Sequence, residues 1–135
     1  IKDSVPIIID TNVFVDEPNI ISKIDSSNNI IVSAKVIDEL DKLKVTLSEE
    51  DRIKVQRALK NINAVIDRRN ITFEIANTRL LPRDFDYRSP DNMILAVALK
   101  YKEGNPILLT SDNGLQLKAK TVKISTMSLK NFLKI

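Results

Sequence analysis

The sequence predicts an α/β domain in three layers, a five-stranded parallel sheet with helices on both faces. Three observations point there. Short apolar runs rich in β-branched residues alternate with helix-period segments from end to end. The first run, Val5 to Ile9, holds four β-branched residues, the composition of a strand buried on both faces. No internal repeat, linker or low-complexity tract divides the 135 residues, so residues 1–135 read as one domain, long enough for a sizeable core. The chain begins at Ile1 rather than Met, and it is expected to be a piece of a longer protein.

The elements follow in order. Val5–Ile9 is the first strand, and it stops abruptly at Asp10. Asp16-Glu17-Pro18 reads as a helix start, with acids before Pro, opening a short helix through Ile20, Ile21 and Ile24. After the turn cluster Asp25-Ser26-Ser27-Asn28-Asn29, Ile30–Val32 is the second strand. Ser33 caps a helix from Ala34 to about Lys44, whose apolar face holds Val36, Leu40 and Leu43. Of the three acids on that helix, Asp38 and Asp41 point away from the face and Glu39 lies beside it.

Ser48-Glu49-Glu50-Asp51 is an acidic variant of a capping box and opens a long helix with Val55, Leu59, Ile62 and Ile66 inward. Ile71–Ile75 is the third strand. An irregular loop from Asn77 to Arg88 interleaves Arg79, Arg83 and Arg88 with Phe85 and Tyr87, a mixture suited to single-stranded nucleic acid. The simpler reading of the two rings is that they plug the loop onto the core. Ser89-Pro90-Asp91-Asn92 starts a helix that runs to about Lys102 and ends before Gly104. Asp91 suits the positive end of that helix, yet it is in phase with the inward Ile94, Leu95 and Ala98. Pro106–Leu109 is the fourth strand, again ending in hydroxyls and a carboxylate, Thr110-Ser111-Asp112. A helix over Asn113–Ala119, a fifth strand over Thr121–Ile124 and a final helix capped by Ser128 complete the chain.

Composition removes whole classes of chemistry. Cys and His are both absent, so there is no disulfide, thiolate site, imidazole shuttle or His-based triad. The lack of Cys fits a cytoplasmic location, and no apolar run approaches the ~20 residues that span a bilayer. The net charge is +3, and its distribution matters more than its size. All seven Arg lie between Arg52 and Arg88, and residues 113–135 carry five Lys and no acid, which favours an anionic partner such as nucleic acid.

In a parallel sheet, ligands bind outside the carboxyl ends of the strands, where strand order reverses. Asp10 and Asp112 end strands, Asp91 begins a helix on that edge, and Glu39 follows the second strand on a core-facing flank. Two unit charges ~5 Å apart repel by about 3 kcal/mol at an effective dielectric near 20. Four acids on one rim therefore require shared protons or a divalent cation. With oxygen ligands only, Mg²⁺ or Mn²⁺ fits better than Zn²⁺, and metal-assisted phosphodiester hydrolysis is the leading reaction class.

Asp10-Thr11-Asn12, Glu39 within Val36-Ile37-Asp38-Glu39-Leu40, Asp91 within Ser89-Pro90-Asp91-Asn92, and Thr110-Ser111-Asp112 together resemble the acidic signatures of the PIN-domain nuclease family. Glu39–Lys44 and Ser111–Leu115 are also similar to PIN domains that precede PhoH-like ATPase modules. The resemblance spans nearly the whole chain. It implies a 3-2-1-4-5 strand order and Mg²⁺- or Mn²⁺-dependent cleavage of single-stranded RNA. By motif, Asp10, Glu39, Asp91 and Asp112 would be the catalytic, metal-binding acids, with Asn12 and Ser111 as supporting polar groups. Arg83, Arg88 and Lys118 would hold the RNA backbone. The resemblance leaves open an antitoxin partner, an attached ATPase module and a homo-oligomer.

Three other readings compete. A silent RNA- or protein-binding module would share the fold without the activity. A haloacid-dehalogenase-like phosphatase would use Asp10 as nucleophile, but Asn12 stands where its proton-donating acid belongs. A receiver domain would need paired acids that this chain lacks.

Overall fold

The run of isoleucines forms strand β1 (Pro6–Ile9), and Ile7, Ile8 and Ile9 are all fully buried. Each such side chain contributes about 1.5–3 kcal/mol through removal from water. The computed structural model describes residues 4–45 and 48–134. Within them, β1 is joined by β2 (Asn29–Ser33), β3 (Ile71–Glu74), β4 (Ile107–Leu109) and β5 (Ser125–Met127). All pairings are parallel and the order is β3-β2-β1-β4-β5, the order that the family resemblance implies. Ile8 stands opposite Ile31 on one side and Leu108 on the other, so the middle of the sheet is a continuous aliphatic layer.

Among the described residues, six α-helices cover the sheet: α1 (Thr11–Asp16), α2 (Ala34–Leu43), α3 (Glu49–Val65), α4 (Pro90–Lys100), α5 (Asn113–Thr121) and α6 (Leu129–Phe132). Helices α1, α2 and α3 pack on one another, and α4 packs on β1, β4 and α5 and also meets α2. The chain moves outward from β1 to β3, then jumps back to β4. Such crossovers are right-handed as a rule, which puts helices of the two directions on opposite faces. The switch point is therefore the gap between β1 and β4, and β1 ends there in Asp10.

Caps were readable. Ser33, Ser48 and Ser128 each accept a backbone N–H of the first turn of their helices, while Ser89 occupies the cap position without a side-chain bond. Two expectations need correcting. The helix after β1 begins at Thr11 rather than beyond Pro18, because Asp10 itself serves as N-cap; the Ile20–Lys23 segment is a single 3₁₀ turn. Helix α4 stops at Lys100, close to its expected end and before Gly104, and the left-handed residue beyond it is Asn105 (φ 54°). The fifth strand lies at Ser125–Met127, not Thr121–Ile124. There, α5 runs on to Thr121 and closes with a Schellman motif: Ile124 N–H donates to Ala119 O at 2.9 Å and Lys123 N–H to Lys120 O at 3.1 Å. Lys123 takes the left-handed position at φ 61°. Ile124 is buried, so it is the apolar residue of that cap rather than a strand residue.

Candidate active site

Asp10 sits where β1 becomes α1, and it is only 4% exposed. Its Oδ1 accepts from the Thr11 N–H at 2.8 Å, and its Oδ2 from the Thr110 hydroxyl at 2.7 Å. Burial is the largest influence on its acidity and raises the carboxyl from 3.8 to about 6. The two hydrogen bonds oppose that shift; the charges of Asp91 and Glu39 add to it.

The other acids are held from separate elements. Glu39, on α2, accepts from the Thr11 hydroxyl at 2.7 Å, so Thr11 links the first two carboxylates. Asp38 and Asp41, on the same helix, pair outward with Lys35, Lys42 and Lys44, as the helical phase requires. Asp91 stands at the start of α4; burial raises its carboxyl, the charge of Asp112 adds to this, and Lys118 opposes it. Asp112 caps α5 through Oδ1 and the Leu115 N–H, at 3.1 Å. An electrostatic chain thus runs Glu39, Asp10, Asp91, Asp112.

An open cavity of about 300 Å³ is lined by Asp10, Thr11, Asn12, Glu39, Lys42 and Asp91, among others. Asn12 is exposed on its wall. Ser111 is placed differently: its Oγ accepts from the Leu129 N–H at 3.2 Å, and it lines a neighbouring groove. Lys118, on α5, lies close enough for its charge to act on Asp91, where it opposes the rise, and on Asp86, where it adds to a lowering caused chiefly by the bond from the Arg88 N–H. Arg83 and Arg88 are exposed on the preceding loop. Arg88 stacks over Tyr87 with its guanidinium carbon 5.7 Å from the ring centre. Phe85 is half-buried against the core, so that ring is a plug; Tyr87 remains exposed. Asn92 ties the loop down, its Nδ2 donating to Asp86 O at 2.9 Å.

Thr11 and Thr110, whose hydroxyls position the acids, carry no mark of that role in the sequence. The hydroxyls before Asp112 were visible, but only the pairing of β1 with β4 brings Thr110 to Asp10.

Among the described residues, no three carboxylates stand close enough to enclose a cation. Mg²⁺ as a rule keeps several waters and takes one or two carboxylates. Each oxygen of Asp10 has a second lone pair, and the desolvated carboxylate gains from a nearby positive charge. Glu39 offers its other oxygen. The donor set therefore fits a hard, partly hydrated divalent cation.

A parallel sheet with carboxylates at the ends of two adjacent central strands defines an α/β domain with an acidic site at its switch point. Comparison with known proteins carries the assignment further. The family model described as PIN domain matches residues 7–130. The chain therefore belongs to the PIN-domain family, whose members are typically metal-dependent nucleases. Among solved structures it is similar to a domain of a functionally unknown protein from Methanocaldococcus jannaschii DSM 2661, with 26% identity and a TM-score of 0.61 over 93% of this chain and 91% of that one. It also shares its fold with the PIN domain of T. brucei RRP44, at 14% identity and a TM-score of 0.57, over 98% of this chain and 80% of that one. No match was found among curated proteins. Among the described residues, no helix is long and apolar enough to cross a membrane.

Proposed function

We propose that this chain is a metal-dependent ribonuclease that hydrolyses phosphodiester bonds of single-stranded RNA at the rim formed by Asp10, Glu39, Asp91 and Asp112. The observation that carries the reading is the buried Asp10 carboxylate at the switch point, coupled to Glu39 and Asp91. A polar residue that merely ends a strand has no reason to be desolvated beside two other acids.

A bound Mg²⁺ or Mn²⁺ would be held by Asp10 with Glu39 or Asp91; it supplies polarisation of phosphoryl oxygens and acidification of water. The chain supplies orientation. Thr110 and Thr11 fix both oxygens of Asp10, and Thr11 fixes Glu39 in turn. Lys118 offsets the charge at Asp91, which eases approach of an anionic substrate to an acidic rim. Arg83 extends the cationic track along the loop, Arg88 joins it while paired at 3.5 Å with the exposed Asp86, and the exposed Tyr87 offers a face for stacking. Hydrolysis adds water across the P–O bond, and the departing ribose oxygen takes a proton.

Cleavage of a labelled single-stranded RNA in the presence of Mn²⁺ tests this. Asp10→Asn is expected to abolish cleavage while leaving the circular dichroism spectrum intact; undiminished cleavage would overturn the mechanism. A second reading, a silent binding module on the same fold, draws on the spacing of the acids, none of which form a closed triplet among the described residues. Calorimetric titration separates the two, since a silent module would bind no Mn²⁺ at millimolar concentration.

A further inference from the structure

The segment after β4 faces two ways. Thr110 turns its hydroxyl to Asp10, Ser111 turns to the N-terminus of α6, and the Asp112 carboxylate acts on Asp91. This alternation is what extended backbone imposes, and Asp112 is extended at φ −80°, ψ 116°. One face of a three-residue stretch thus belongs to the acidic rim, and the other opens a groove of about 440 Å³ between α5, β5 and α6.

The groove differs in chemistry from the rim beside it. Its walls carry amides, hydroxyls and the ammonium of Lys120, with Met127 half-buried among them, and its lining contains no acid. Some of these polar groups are engaged: Ser111 Oγ and Ser128 Oγ accept backbone N–H groups, and Gln116 Nε2 donates to Thr110 O at 2.8 Å. The side chains of Asn113 and Asn131 and the Lys120 ammonium are exposed. Lys120 forms no ion pair among the described residues.

We propose that this groove seats the RNA nucleotide adjoining the scissile phosphate, with its base edge on Asn113 and Asn131 and its phosphate on Lys120. The inference rests on RNA being the substrate of the neighbouring rim. A side-chain amide offers a donor and an acceptor together, which is what reads the edge of an unpaired base. Lysine supplies the charge for a phosphate. Because Ser111 lies between Thr110 and Asp112, a strand whose phosphodiester lies at the rim has its next nucleotide at this groove. The site therefore sets the preference for the flanking base, while the rim, which meets only the phosphodiester, is indifferent to sequence.

Fluorescence anisotropy with the uncut Asp10→Asn protein tests the assignment, using labelled oligo(A), oligo(U) and oligo(C) of about eight nucleotides. Lys120→Ala is expected to weaken all three by at least about threefold and to reduce the slope of log affinity against log salt by about one. Asn113→Ala with Asn131→Ala is expected to narrow the spread of affinities among the three while leaving the slope unchanged. These residues are exposed, so the thermal midpoint should not move. Parent-like binding by both variants overturns the groove, as does a parent that binds none of the three. If the groove variants weaken binding while Asp10→Asn still cleaves, the catalytic reading fails and the groove stands. If Asp10→Asn is inactive and the groove variants bind normally, only the groove is lost.

Discussion

Burial lifts the Asp10 carboxyl from 3.8 to about 6, and the sign of that shift dictates how stability follows pH. The folded chain holds this proton more tightly than the unfolded one. The stabilisation is complete below the unfolded value and is lost as pH rises through the folded value, on the order of 3 kcal/mol in all. Above about pH 6 the fold carries an ionised, desolvated group. Asp10→Asn keeps an oxygen for the Thr11 N–H and removes that charge. Urea titrations should therefore show the variant more stable than the parent at pH 8 and nearly equal to it near pH 4. Thr110 is the second residue of consequence, since its hydroxyl donates to Asp10 and accepts from the Asp112 N–H at 3.1 Å. Thr110→Val leaves both partners short of a bond and should cost about 1–3 kcal/mol, measured by the same titration, with Thr110→Ser close to the parent.

Among the elements, the end of α5 offers the sharpest test of local reasoning. Lys123 holds a left-handed conformation that Cβ makes unfavourable. Lys123→Gly should raise stability by about 0.5–1 kcal/mol, visible as a higher urea midpoint with an unchanged slope. The same turn shows why part of the fold escaped the sequence. Val122 and Ile124 have strand-like side chains, but a Schellman cap also needs a buried apolar residue after its left-handed one, and composition alone does not separate the two. Asp10 hid α1 for a related reason: an acid after an apolar run reads as the end of a strand, and here it is also the cap of the next helix. By contrast, Ser33, Ser48 and Ser128 were legible because capping is a local matter of one hydroxyl and the first helical turn. That the four candidate acids share an edge was legible for the same kind of reason. Strand ends and helix phase placed Asp10, Glu39, Asp91 and Asp112 on one edge. Thr11 and Thr110 were not, since their roles depend on which strands lie side by side.

At the scale of the whole molecule, a cation at the rim should act as a stabilising ligand. Mn²⁺ at 100 times its dissociation constant would add about 2.7 kcal/mol, read as a rise of several degrees in thermal midpoint. Protons compete for Asp10, so the rise should be larger at pH 7.5 than at pH 5. Equal shifts at both values would place the bound ion elsewhere. The acids, however, do not wait for such a ligand to find partners. Asp10 is bonded by Thr11 and Thr110, Glu39 by Thr11, and Asp112 by the first turn of α5. A continuous aliphatic core, with Ile7, Ile8, Ile9, Leu108 and Leu109 fully buried, lies beneath them. On the proposed metal-dependent reading this sets an order of assembly: the polypeptide would reach its native form unaided and be charged with metal afterwards. Depriving it of divalent ions should leave a folded, idle protein that can be revived by their return, unlike a zinc finger, which unravels when its ion is taken away.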